Sequence, residues 1–92
     1  MEGSGLFKTA PGVRLREEPG DCVLVYFDEN GYETNAVGSH IIQCARDNAK
    51  SVEDLCESVI KEFDAPRDQV RSDIENVVKE FVQIGVLVRQ ET

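Results

Sequence analysis

The stretch VRLREEPGDCVLVYFDENGYETN, Val13 to Asn35, decides the fold. In Val13-Arg14-Leu15-Arg16-Glu17 apolar and charged residues alternate. That is the period of a half-buried strand, with Val13 and Leu15 inward. Glu18-Pro19-Gly20-Asp21 suits a type II turn, because Gly accepts the positive φ required at the third position. Cys22 to Phe27 is apolar on both faces, as a central strand is. Asn30-Gly31 is a strong hairpin signal, since both central residues of a type I′ turn need positive φ. Tyr32-Glu33-Thr34 then returns as a short strand at the edge of the meander, with one row of N–H and C=O groups unpaired.

Downstream the apolar period changes from two to 3.6. Asn35 can cap a first helix running to about Asp47, with Val37, Ile41, Cys44 and Ala45 on one face. Ser51, with Asp54 three residues later, opens a second helix in a capping-box pattern. Its stripe is Val52, Leu55, Cys56, Val59, Ile60 and Phe63. Asp64-Ala65-Pro66 starts a third helix that runs to Ile84 and stops at Gly85. Its apolar positions exceed one stripe, with Val78 and Val82 to one side of Val70, Ile74, Val77 and Phe81. Val86-Leu87-Val88 forms a last short strand or packs on the core. The order β-β-β-α-α-α describes an α+β domain: a three-stranded antiparallel meander followed by three helices. A winged helix-turn-helix has the same description.

Upstream, residues 1–11 read as a flexible N-terminal segment and 12–90 as the domain. The first five residues have neither a basic region nor an apolar stretch of the kind a secretory signal carries. The longest apolar run, Cys22 to Phe27, is far too short to span a membrane, so a cytoplasmic protein is expected. The 92 residues leave room for one core and for no cofactor domain beside it. The net charge of -8 opposes a phosphate-backbone partner. Three cysteines without C-x-x-C spacing, with His40 the single histidine, make neither a disulfide scaffold nor a zinc site. His40 and Cys44, at i and i+4, could touch, yet no orienting third group is near them in sequence. No catalytic residue, metal or cofactor is therefore expected, and a binding module is favoured.

Two features suit binding. The Tyr32–Thr34 edge can accept an extended peptide as an added strand, and the third helix has apolar residues to spare. A groove between them would hold a peptide's apolar side chains.

Three stretches, VRLREEPGDCVLVYFDENGYETNAVGSHII, SVEDLCESVIKEF and DQVRSDIENVVKEFVQIGVL, together resemble the pyrroloquinoline quinone (PQQ) synthesis protein D (PqqD) family. The resemblance spans about residues 12–88. It is carried by Gly31-Tyr32-Glu33-Thr34-Asn35, by Asp73-Ile74, and by Gly85-Val86-Leu87. Thr34 stands where the family usually has Leu, and Asp47-Asn48-Ala49-Lys50 where it usually has Asp-Gly. The resemblance implies a non-catalytic peptide chaperone with a winged helix-turn-helix fold. It would bind the leader of a ribosomally made precursor peptide and present it to a modifying enzyme such as a radical SAM protein. Carried onto this sequence, Tyr32, Glu33 and Thr34 supply the edge. Asp73, Ile74, Val77, Val78 and Phe81 are the groove-wall candidates, among which helical spacing does not separate groove from core. The acidic balance calls for a peptide that is neutral or basic near the groove. The alternatives are a nucleic-acid-binding winged helix and a scaffold domain that pairs two copies through the doubly apolar strand.

Overall fold

The computed structural model describes residues 5–90 and contains eight elements. Four strands come first: β1 (Leu6–Thr9), β2 (Arg14–Glu18), β3 (Cys22–Phe27) and β4 (Asn30–Thr34). Three helices follow, α1 (Ala36–Asp47), α2 (Val52–Phe63) and α3 (Arg67–Ile84), and then strand β5 (Leu87–Gln90). β2, β3 and β4 form an antiparallel sheet in sequence order, and β1 and β5 form a second, two-stranded one. The fold is α+β, as expected.

Two expectations change. Leu6–Thr9 is a strand, where a flexible segment over residues 1–11 was expected; residues 1–4 lie outside the described part. β1 pairs antiparallel with β5, Phe7 opposite Arg89 and Thr9 opposite Leu87. Phe7 also exchanges backbone hydrogen bonds of 2.7 and 2.8 Å with Lys50. The cause is burial: the Phe7 side chain enters the core, and the Thr9 hydroxyl donates to the Ile42 carbonyl at 2.7 Å. Four residues carry too little periodicity to reveal a strand whose partner lies eighty positions away.

The second change is the hairpin turn. Its central residues are Asp28 and Glu29, with φ of 54° and 68°, so Asn30-Gly31 opens β4 instead. The register explains the shift. It places Val25 opposite Tyr32 and Val23 opposite Thr34, on the face where Val23 and Val25 are buried. A turn centred on Asn30-Gly31 would slide β4 and break that matching, so the core outweighs the turn preference of Asn-Gly.

The helices begin where their caps dictate. The Asn35 side chain accepts the Gly38 N–H at 3.0 Å, and Asp21 Oδ1 accepts the Ala36 N–H at 3.0 Å. These two bonds fix the step from β4 into α1. Gly38 has no room for a side chain, since a Cβ there would lie 1.9 Å from the Thr34 hydroxyl. Ser51 and Asp54 form both halves of a capping box at the start of α2. Ser51→Ala should lower stability by about 1 kcal/mol, read as a lower urea midpoint with unchanged slope. Gly85, at φ 89°, closes α3 with its N–H on the Phe81 and Val82 carbonyls.

The core lies between the helices and the inner face of β2-β3-β4. Its fully buried side chains include Val13, Val25, Ile41, Ile42, Leu55, Ile74, Val86 and Leu87. No helix among the described residues is long and apolar enough to cross a membrane.

Candidate functional site

β4 is an edge strand, and its register tells which backbone groups are free. In a two-residue hairpin the flanking pair, here Phe27 and Asn30, exchanges hydrogen bonds. Hydrogen-bonded and non-bonded pairs then alternate along the ladder. Val25–Tyr32 and Val23–Thr34 are therefore bonded pairs, and Tyr26–Gly31 and Leu24–Glu33 are not. Consequently the N–H and C=O groups of Gly31 and Glu33 point away from β3, toward the open edge.

A cleft of about 410 Å³ lies beside that edge. Glu33, Thr34 and Asn35 form one side and Val77, Glu80 and Phe81 of α3 the other, with Asp21 and Cys22 also lining it. The structure thus brings together Glu33, Thr34, Val77 and Phe81 from the expected set. Tyr32 is half-buried against the core. Asp73 is exposed one turn before Val77, so Asp73, Val77 and Glu80 share a helical stripe. Ile74 and Val78 are buried, on the same stripe as Val70 and Phe81. They support the wall from behind, and Phe81 is exposed only at its margin.

Sequence reading missed Asp21, Cys22, Asn35 and Glu80. Asp21 and Asn35 carry a signal, because both are capping residue types beside a strand end. Glu80 carries one in its offset of seven from Asp73. Cys22 carries none, since its position follows from cross-strand pairing alone.

The cleft is acidic, with Asp21, Glu33 and Glu80 lining it and no cation lining it among the described residues. The Cys22 thiol points at Glu33, with Sγ 3.5 Å from Oε2. Partial burial, that hydrogen bond, and the charges of Glu33, Glu18 and Asp21 all raise the Cys22 pKa above its ordinary value. A thiol held protonated is a poor nucleophile.

Away from the cleft, His40 Nε2 lies 2.7 Å from Ser58 Oγ and 3.4 Å from Cys44 Sγ. The His40 ring meets Phe63 edge-on at 5.6 Å. The His40–Cys44 contact anticipated from spacing therefore exists, and Ser58 joins it across α1 and α2. No carboxylate hydrogen-bonds to this trio among the described residues. No cluster of three or more His, Cys, Asp or Glu with metal-binding geometry occurs among them either. On α3, Arg67 pairs with Glu57, and Arg71 with Glu53 and Glu75. Those cations are turned to neighbouring carboxylates rather than offered to a phosphate backbone.

Comparisons with known proteins agree on one family. The family model described as coenzyme PQQ synthesis protein D (PqqD) matches residues 21–87. A protein of Rhizobium meliloti (strain 1021) named PqqA binding protein is 30% identical over 83 residues, 88% of this chain and 83% of its own length. In fold, the chain is similar to the solution NMR structure of the PqqD truncation of Methylobacterium extorquens PqqCD. The TM-score is 0.76 at 21% identity, covering 96% of this chain and 94% of that one. That protein is described as a functional, stand-alone recognition element for ribosomally synthesised and post-translationally modified peptides.

Proposed function

This chain belongs to the PqqD family, and on that premise we propose that it is a recognition element that binds the leader of a ribosomally synthesised precursor peptide. The observation that carries the reading is the cleft between the free edge of β4 and the Val77 face of α3. A leader enters as a strand antiparallel or parallel to β4, bonding the outward groups of Gly31 and Glu33. Its apolar side chains pack on Val77 and the margin of Phe81. Asp21, Glu33, Asp73 and Glu80 favour neutral or basic residues beside them. The name of the R. meliloti relative supports PqqA, the PQQ precursor peptide, as the ligand class.

The protein itself performs no chemistry and works in the cytoplasm, presenting the peptide to a modifying enzyme such as a radical SAM protein. Its free cysteines suit a reducing compartment. α2 and α3, joined through Asp64–Pro66 beside the β2-β3-β4 sheet, support the winged helix-turn-helix description, used here to hold peptide rather than nucleic acid. A homodimer formed through the outer face of β3 is the alternative. Leu24 and Tyr26 on that face are already half-buried beside Arg14, Arg16 and Glu33, which leaves little bare apolar surface for a partner.

Titration of isotope-labelled protein with a PqqA-type precursor peptide tests the reading. Backbone amide shifts are expected at residues 30–35 and 73–81. A Kd near or below the micromolar range is expected, about -8 kcal/mol or stronger. Shifts spread evenly, or absent from both segments, would overturn the proposal.

A further inference from the structure

A second cleft, of about 470 Å³, lies over the β1–β5 ribbon and shares no residue with the first. Lys8, Arg46 and Arg89 surround it, and Ala10, Pro11 and Val88 provide apolar surface. Among the described residues no carboxylate lines it, although the chain carries 18 acidic and 10 basic side chains. None of its three cations forms a salt bridge among the described residues. Two of them are held in place. Arg46 donates to the Val13 carbonyl at 3.0 Å, and Arg89 lies over the Phe7 ring at 5.4 Å. Val88 is 50% exposed, the most exposed large apolar side chain described.

Building on the peptide-binding reading above, we infer that this cleft docks an acidic segment, carrying one aliphatic side chain, of the enzyme that modifies the bound peptide. Charge complementarity selects that occupant. The net charge of -8 works against an acidic segment over much of the surface, whereas this cleft, lined by three cations, favours one. The aliphatic side chain covers Val88. The leader is not the occupant, because the β4–α3 cleft selects neutral or basic residues and this cleft selects the opposite. A second copy of the chain is disfavoured too. Inserting its acidic β4 edge here would block peptide binding and make a head-to-tail contact that need not close.

The test uses the full labelled chain and three six-residue peptides: an acidic one with a central leucine, the same with alanine for leucine, and a lysine-for-acid counterpart. The first should shift the amides of residues 8–10, 12 and 88–90. The alanine version should bind several-fold more weakly, and the basic one should leave those amides unmoved. Lys8→Glu and, separately, Val88→Ser each replace an exposed side chain. Lys8→Glu should weaken both the acidic peptide and the modifying enzyme of the same gene cluster at least tenfold, and Val88→Ser both several-fold. Leader affinity should stay within twofold of the unaltered chain in each. Enzyme affinity unchanged in both variants would overturn the inference. So would self-association, seen by sedimentation, that Lys8→Glu abolishes. Failure of the leader to bind the unaltered chain would sink the peptide-binding reading instead, while the acidic-peptide measurements would still report on this cleft.

Discussion

Glu33→Pro should abolish most leader binding while leaving the domain folded. Proline removes the Glu33 N–H, which points to the open edge, and its ring fills the space a leader backbone must occupy. Loss of the two edge bonds at Glu33, about 0.5–1.5 kcal/mol each, weakens binding roughly five- to 150-fold. The fold tolerates the change because proline is accepted on edge strands where its N–H faces solvent. Thr34→Pro makes the contrast. The Thr34 N–H bonds to β3 opposite Val23, so that variant loses stability first. Glu33→Ala keeps the N–H and should bind far better than Glu33→Pro. Calorimetric titration with the precursor peptide, beside circular dichroism of each variant, reads the pattern. Equal binding by Glu33→Pro and the unaltered chain would contradict edge pairing at this residue.

Ile74→Ala and Val77→Asp should separate stability from recognition on one helix. Ile74 is fully buried, and its truncation should cost about 2–5 kcal/mol. That is a large share of the ~5–15 kcal/mol that holds a domain of this size. Whatever fraction of Ile74→Ala remains folded should bind leader with near-normal affinity. Val77 is half-buried at the cleft wall, so Val77→Asp should cost little stability. It puts a further negative charge beside Glu33 and Glu80 and removes an apolar contact. Leader affinity should fall about tenfold or more, since one apolar anchor is worth ~1.5–3 kcal/mol. Urea denaturation and peptide titration on both variants check the two halves together.

Local signals made the helices legible in sequence. Asn35, the Ser51–Asp54 box and Gly85 each act within a few residues, and each stands where expected. β3 was legible too, because a six-residue apolar run has few other uses. β1 was not, since its stability comes from Arg89, Leu87 and Lys50, all distant in sequence. The hairpin turn was misplaced because Asn-Gly is a strong local preference, and packing of Tyr32 and Thr34 on the buried face overrode it.

The site divides in the same way. Strand position alone made Tyr32–Thr34 an edge. Which of its residues offers backbone groups depends on the turn, so Glu33 and Gly31 could be picked out only once the turn was placed at Asp28-Glu29. On α3, five wall candidates spanned two neighbouring stripes. The stripe through Ile74 and Val78 faces the core, while Val77 and Glu80 beside it line the cleft, a choice made by the helix's rotation against its neighbours. Spacing within the helix carries no information about that rotation.

Amide hydrogen exchange along β4, with and without saturating precursor peptide, tests strand addition most directly. In the free protein Tyr32 and Thr34, bonded to β3, should exchange slowly, and Gly31 and Glu33 should exchange fast. Saturation should slow Gly31 and Glu33 at least tenfold and leave Tyr32 and Thr34 as they were. If Glu33 and Gly31 exchange at the same rate in the complex as in the free chain, the peptide does not bind as a strand on β4.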